Sequence, residues 1–386
     1  VTATLGADEL VALRDSVAGI AGSFGPDYFQ QQVDDGGNAG ELWGALGERG
    51  FLGVHLPEEY GGGGLGLREM AIVVQQTAIA GVPMLALLFS PGVTGTILAR
   101  SGNDEQQRRW LPGVASGELR LSFAITEPDA GSNSHRIATT ARRDGDRYVV
   151  NGQKTFITGM ESADWVMVVA RTGTDSATGR GRLSVLMVDA HSEGLSWSRI
   201  RTVMNMPDKS SQVFFDDVSV PAEHVIGECD RGLAVAFTGL NAERILTSSI
   251  CTGIGRYALA KAAAYARSRT VWDRPIGAHQ AVAHPLAAAA IELEAAELMT
   301  ERACELHDGA AAGAGGASNM AKFLGAQAGL HALDAAIGVH GGNGVAMEYQ
   351  LANYFFIVRM LNMGPVSREM ILNYVAEHAL GLPRSY

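Results

Sequence analysis

The run from Gly232 to Arg269 contains no proline, and its apolar residues recur at helical spacing, so it reads as one long buried helix. Ala236, Leu240, Thr247, Ile250 and Ile254 fall on one face, at steps of four, seven, three and four. Glu243 lies on that same face, in the gap between Leu240 and Thr247. A carboxylate on an apolar stripe is costly to bury unless it is paired or has chemistry to perform.

The segments 281–309, 317–337 and 366–380 are also rich in Ala, Leu, Glu and Met, and with the long helix they predict a four-helix bundle. Residues 121–228 follow another pattern. LSFAIT, RYVVNGQKTFIT, WVMVVART, LSVLMVDA and QVFFDDVSV predict strands, with turn chemistry at Asp144-Gly145 and Asn151-Gly152. Strands at such short spacing suggest a compact antiparallel barrel or sandwich. Residues 1–120 show helical spacing again, in ELWGALGERG and REMAIVVQQTAIA. PEEYGGGG (57–64) is predicted to be a loop, since four glycines hold neither helix nor strand. The expected organisation is α+β in three domains: helical over 1–120, β over 121–228, a helical bundle over 229–386.

A chain of 386 residues with 47% hydrophobic and 18% charged residues is globular, and its net charge of −11 argues against a nucleic-acid partner. Cys229, Cys251 and Cys304 are odd in number and far apart, so no metal is expected and the natural reading is three thiols in a reducing cytoplasm. The start, VTATLGADEL, lacks the apolar core of a signal peptide. The longest apolar stretch, 78–93, is broken by Pro83 and Pro91 and is too short to span a bilayer.

Four motifs occur in order at the joints of these zones: FAITEPDAGSN (123–133), NGQKTFIT (151–158), RSRTVWDRPIGAHQ (267–280) and HGGNG (340–344). Together they resemble the acyl-CoA dehydrogenase family over nearly the whole chain. The resemblance implies a helical domain, a central antiparallel β-barrel and a C-terminal four-helix bundle, with FAD held without a Rossmann fold. The chain accordingly has no strand-GxGxxG-helix unit. By this match Phe123, Ile125, Thr126, Gly131 and Ser132 line the flavin and the thioester entrance, with Ser132 also touching substrate, while Phe156 and Thr158 pack beside the flavin ring. The competing reading of Phe156 is an ordinary barrel core residue. Arg269, Trp272 and Gln280 match residues that reach the adenosine diphosphate half of FAD in a neighbouring subunit, which implies a homo-oligomer, a tetramer by resemblance. Gly342 permits close approach of a phosphate. Gly338 stands where the family usually has Gln and removes one cofactor contact.

The resemblance also implies a reaction: a carboxylate removes the α-proton of an acyl thioester while the β-hydrogen leaves as hydride. Many members carry that carboxylate as Glu-Gly-Thr, but the ungapped position here is Pro365, and the nearest acid, Glu369, reads as a surface residue. In isovaleryl- and long-chain acyl-CoA dehydrogenases the base comes from the long helix, just before a matching Arg. Glu243 precedes Arg244 at that place, so Glu243 is the candidate base and Arg244 a candidate for orienting substrate. The competing reading is a Glu–Arg ion pair, disfavoured because adjacent helix residues point about 100° apart. The expected partners are an acyl-CoA or acyl-carrier-protein thioester and an electron-transfer flavoprotein or similar acceptor. Competing functions are a flavin oxidase or monooxygenase on the same fold and a flavin-binding subunit without activity.

Overall fold

The computed structural model describes residues 5–385; residues 1–4, part of the segment read above for a signal peptide, and residue 386 lie outside the described residues. Helices α1 (Ala7–Asp34), α2 (Gly40–Glu48) and α3 (Leu67–Ile79) begin the chain. A short helix α4 (Leu85–Leu87) widens into a π-helical turn, Leu88–Gly95, which continues into α5 (Thr96–Ser101); α6 (Asp104–Ser116) follows. The 57–64 segment is a 3-10 turn, Glu58–Tyr60, followed by the glycine loop.

Eight strands come next: β1 (Leu121–Ala124), β2 (Thr140–Asp144), β3 (Arg147–Thr158), β4 (Trp165–Thr174), β5 (Gly181–Asp189), β6 (Leu195–Arg199), β7 (Ser210–Pro221) and β8 (Val225–Ile226). The expected antiparallel barrel is realised as one mixed sheet in the order β6-β7-β3-β2-β4-β5-β8, with no ladder joining β6 to β8. β1 and β2 lie along one edge of β4, and both run parallel to it. The parallel joins exist because β1 enters from the helical domain rather than through a hairpin. β4 has both faces covered: Met167 and Val169 join a core shared with Trp110, Ile97 and Leu240, while Val166 and Val168 pack with Val150 and Phe215. That double burial is why WVMVVA is an unbroken apolar run.

Asp144-Gly145 is the expected turn, between β2 and β3. Asn151-Gly152 is not a turn. It lies inside β3 at an irregularity in the pairing with β7, with Gly152 at φ 143°. A Cβ there would lie 2.7 Å from Thr139 Cα, and Asn151 is occupied with Asp217 instead.

The C-terminal part holds α7 (Gly232–Ser268), a small hairpin of β9 (Thr270–Val271) and β10 (Arg274–Pro275), α8 (Gln280–Asp308) and α9 (Ala314–His340). The expected fourth bundle helix needs correction. Residues 368–378 do form a helix, α11, but α10 (Leu351–Met363) intervenes and buries Tyr354, Ile357, Val358 and Leu361 in the core with α7 and α3. LANYFFIVRM is dominated by aromatic and β-branched residues of modest helix propensity, so tertiary burial, not local preference, makes it helical. Among the described residues no helix is long and apolar enough to cross a membrane.

Candidate active site

Glu243 is 5% exposed, near the N-terminal end of α7, where that helix crosses the π-helical turn. Two close approaches set this seam. A Cβ on Gly239, one turn before Glu243, would fall 2.6 Å from Ile97, and one on Gly92 would fall 2.4 Å from Leu246, one turn after it. The carbonyl of Val93 lies 2.8 Å from the same Gly239 Cβ position, so there only glycine lets the two backbones approach. The Glu243 carboxyl makes no hydrogen bond or ion pair with any described residue. Burial pushes its pKa from 4.5 up to about 8, against the opposing pull of Arg244 and Lys322.

The expected alternative, a Glu243–Arg244 ion pair, is not formed. Arg244 is also 5% exposed, but its guanidinium donates to the carbonyl of Leu240 at 3.0 Å and to the side-chain oxygens of Asn241 and Asn319. The hydroxyl of Thr247, on the Glu243 face, is buried without a partner. Neither fallback position offers a base: Pro365 has no proton acceptor, and Glu369 is exposed beside Arg368.

The two glycine- and threonine-rich motifs are drawn together by β1 and β3. Thr155 donates its N–H to the carbonyl of Thr126 at 2.9 Å, and the Ser122 hydroxyl to the carbonyl of Thr158 at 2.8 Å. Beneath them lies a pair that the motif reading passed over. Lys154, wholly buried, reaches Glu127 at 2.8 Å and the carbonyl of Ile125 at 3.0 Å. Glu127 in turn accepts the N–H groups of Ala138 and Thr139. Burial lowers the Lys154 pKa to about 8. For Glu127 burial pushes upward, but Lys154 and the hydrogen bonds prevail and hold it below the usual range. Both residues stand inside quoted motifs, and their signal was a charge of each sign within strand-like apolar surroundings.

Phe156 sits at the irregularity between Lys154 and Ile157, at φ 57° and 61% exposed, so it is not a core residue. A bulky side chain is held at positive φ only where its surroundings require it. The hydroxyls of Thr126 and Thr158 meet no described partner. Gly131 and Ser132 are exposed, Ile125 is half-buried and Phe123 is buried in the β1 core. Alongside, a cleft is lined by His135, Arg180, Arg182, Asp230 and Arg231. Arg182 is spent on Asp175 and Asp230, whereas the side chains of Arg180 and Arg231 pair with no described residue.

Arg269, Trp272 and Gln280 form a separate group at the far end of α7. Trp272 and Asp273 turn the β9–β10 hairpin at φ 47° and 62°, leaving the indole 82% exposed. Arg269 and Gln280 flank it, also exposed. Gly342 is exposed in the turn after α9, and a Cβ at Gly338 would meet nothing within 4 Å, so packing does not demand glycine there.

Sequence models of the N-terminal, middle and C-terminal domains of acyl-CoA dehydrogenases match residues 7–118, 122–218 and 230–380. The chain belongs to the acyl-CoA dehydrogenase family. An acyl-CoA dehydrogenase of Mycobacterium tuberculosis is 46% identical over 386 residues, 100% of this chain and 99% of that one. A 3-(aryl)acrylate reductase of Clostridium sporogenes is 32% identical, over 87% of this chain and 89% of its own length. The solved structure of an acyl-CoA dehydrogenase from Geobacillus kaustophilus has a TM-score of 0.91 at 26% identity, over 99% and 100% of the two chains.

This acyl-CoA dehydrogenase is a flavin oxidoreductase whose cofactor is FAD. The residues fit that group. An aromatic ring presented outward on a constrained backbone, two free hydroxyls and open space above Gly131 suit one face of a flat, polar-edged ring. The flavin end would be held by Ile125, Thr126, Phe156 and Thr158.

Proposed function

We propose that this chain dehydrogenates an acyl-CoA thioester to the trans-2-enoyl thioester, with Glu243 as the base that removes the α-proton. The observation that carries the reading is a buried carboxyl, free of partners, with a pKa raised to about 8. A carboxylate so placed is a far stronger base than one in water, and it has no competing hydrogen bond to break first. When bound, FAD supplies the acceptor for the β-hydrogen, which leaves as hydride. Arg244 holds the local frame: its bonds to Leu240, Asn241 and Asn319 keep the guanidinium from quenching Glu243. The exposed Ser132 would meet the thioester end. Phe123, deep in the β1 core, backs the flavin loop from below.

The unpaired Arg180 and Arg231 support the CoA form of the thioester, since phosphates need uncommitted cations. Arg180→Ala with Arg231→Ala is expected to raise KM for an acyl-CoA while leaving the corresponding acyl-pantetheine unaffected. Equal losses on both would show that Arg180 and Arg231 do not read the phosphates of CoA. Electrons then pass to an electron-transfer flavoprotein or a similar acceptor, as part of fatty acid metabolism. The assembly is a homotetramer in which Arg269, Trp272, Gln280 and Gly342 serve a neighbour's FAD. Three unpaired cysteines support a reducing, cytoplasmic setting.

The decisive experiment is anaerobic mixing of the FAD-loaded protein with a panel of acyl-CoA thioesters while flavin absorbance is followed. Glu243→Gln keeps size and shape, so flavin and thioester should still bind, while reduction falls by about 10²–10⁴, the usual contribution of a positioned base. Fast reduction by Glu243→Gln would show that the base lies elsewhere.

A further inference from the structure

Lys322 stands in the middle of α9 and is wholly buried. Its ammonium donates to the carbonyl of Asn362 at 2.7 Å and to that of Val366 at 2.8 Å, on either side of Pro365. One side chain therefore ties α9 to the turn between α10 and α11. Both acceptors are neutral, and no carboxylate lies within ion-pair distance of Lys322 among the described residues. An unpaired buried ammonium is expensive, and a neutral amide could make the same two bonds. The charge itself needs a reason.

The charged and titratable groups around Lys322 narrow the choice. Next to it α9 is seated on α7, since the Ser248 hydroxyl donates to the carbonyl of Ala321 at 2.9 Å and Arg244 donates to Asn319. The groups whose fields reach the ammonium are Cys251, Glu243 and Arg244 on α7 and Glu369 on α11, and burial lowers its pKa to about 8. Burial raises the Cys251 thiol to about 12, so it carries no charge near neutrality. Glu369 is exposed, screened by water and set beside Arg368. Arg244 has the same sign as Lys322. The remaining group is Glu243. The relation holds from the other side too: among the described residues only Arg244 and Lys322 bear on the Glu243 carboxyl, and Arg244 is turned onto Leu240, Asn241 and Asn319.

We propose that Lys322 is a positioning residue for Glu243: it clamps the α10–α11 turn beside α7 and places there a positive charge, present at and below neutral pH, that favours the carboxylate in a closed site. This rests on the reading of Glu243 as base. The clamp fixes where the charge sits, and the charge supplies what the apolar seam withholds. Without it the seam formed by Gly92, Leu246, Gly239 and Ile97 would hold the acid protonated to still higher pH, and the protonated acid takes no proton from a substrate.

Lys322→Gln separates charge from clamp, because the amide retains two N–H donors. The first readout is the infrared carboxyl band of Glu243 in protein without thioester, titrated with pH and corrected by subtraction of Glu243→Gln. The second is the pH profile of flavin reduction. Both are expected to move to higher pH by about one unit, which is about a tenfold loss of reduction rate at pH 7 with most of the rate recovered at high pH. A folded Lys322→Gln whose carboxyl band titrates as in the wild type would overturn the proposal and leave Lys322 a structural plug. If that variant does not fold, the coupling is tested from the other partner, since it must be reciprocal. In Glu243→Gln the ammonium of nitrogen-labelled Lys322 is then expected to lose its proton at lower pH than in the wild type, and an unchanged titration overturns the proposal. A carboxyl band that moves as expected in a protein whose flavin no thioester reduces would keep the pairing and remove the base assignment.

Discussion

At position 243 a substitution that should harm catalysis should also strengthen the fold. The Glu243 carboxyl has its pKa raised from 4.5 to about 8 by burial, so the folded protein binds a proton there that the unfolded chain releases. Its contribution to stability is complete below pH 4.5 and is lost as pH rises to about 8. Glu243→Gln removes that loss. The variant is expected to be more stable than the wild type at pH 8 by an amount on the order of a few kcal/mol, read as a higher unfolding temperature, and to match it near pH 4.5. Calorimetric scans at the two pH values check this, and equal midpoints at pH 8 would mean that Glu243 is not held protonated. The rate has the opposite slope. At sub-saturating thioester, flavin reduction should rise with pH through about 8, where half of the free-enzyme carboxylate is formed, and level off above it. Glu243 was legible in the sequence because it interrupts an apolar stripe. Lys322 was not, since a lone Lys in an Ala-rich helix looks like any solvated cation, and its partners are two carbonyls that carry no sequence signature.

Between elements, the buried Lys154–Glu127 pair joins β3 to the loop after β1 and so joins the two motifs proposed to hold the flavin. Removing one charge from a buried pair leaves the other uncompensated, at a cost of roughly 3–5 kcal/mol. Lys154→Met should therefore lower the thermal midpoint sharply and release FAD on gel filtration. Lys154→Met combined with Glu127→Leu should recover much of the midpoint, because two apolar residues replace a buried pair with little loss. A double variant no more stable than the single one would place the defect in packing rather than charge. The strands around this pair were readable in outline: RYVVNGQKTFIT is β3, residue for residue. Misread was Asn151-Gly152, whose composition is that of a tight turn but whose glycine is demanded by Thr139, just before the neighbouring strand β2. The helix Leu351–Met363 was hidden for a related reason, since its aromatic and β-branched residues carry weak local preference and acquire helical form by packing on α7 and α9. In both cases the missing information was the identity of a neighbour distant in sequence.

Across the whole molecule, the residues assigned to FAD fall into two groups that one chain holds far apart. Ile125, Thr126, Phe156 and Thr158 lie by the sheet, whereas Arg269, Trp272 and Gln280 lie beyond the C-terminal end of α7. Glu243 and the end of that helix are separated by about 38 Å at 1.5 Å per residue. The distal hairpin also leaves a large indole in water, with Trp272 82% exposed. Both features are explained if the hairpin binds the FAD of a second copy. Cofactor binding would then bridge subunits, and each would stabilise the other by mass action, by about 2.7 kcal/mol at a ligand concentration of 100 Kd. Arg269→Ala with Trp272→Ala should elute with less flavin and scatter light as a smaller species, and added FAD should partly restore the larger one. Glu243→Gln, measured in parallel, should keep both flavin and size, which separates assembly from chemistry. A double variant that keeps full flavin occupancy and full size would show that Arg269 and Trp272 touch no cofactor, and that the exposed indole serves a contact unrelated to FAD.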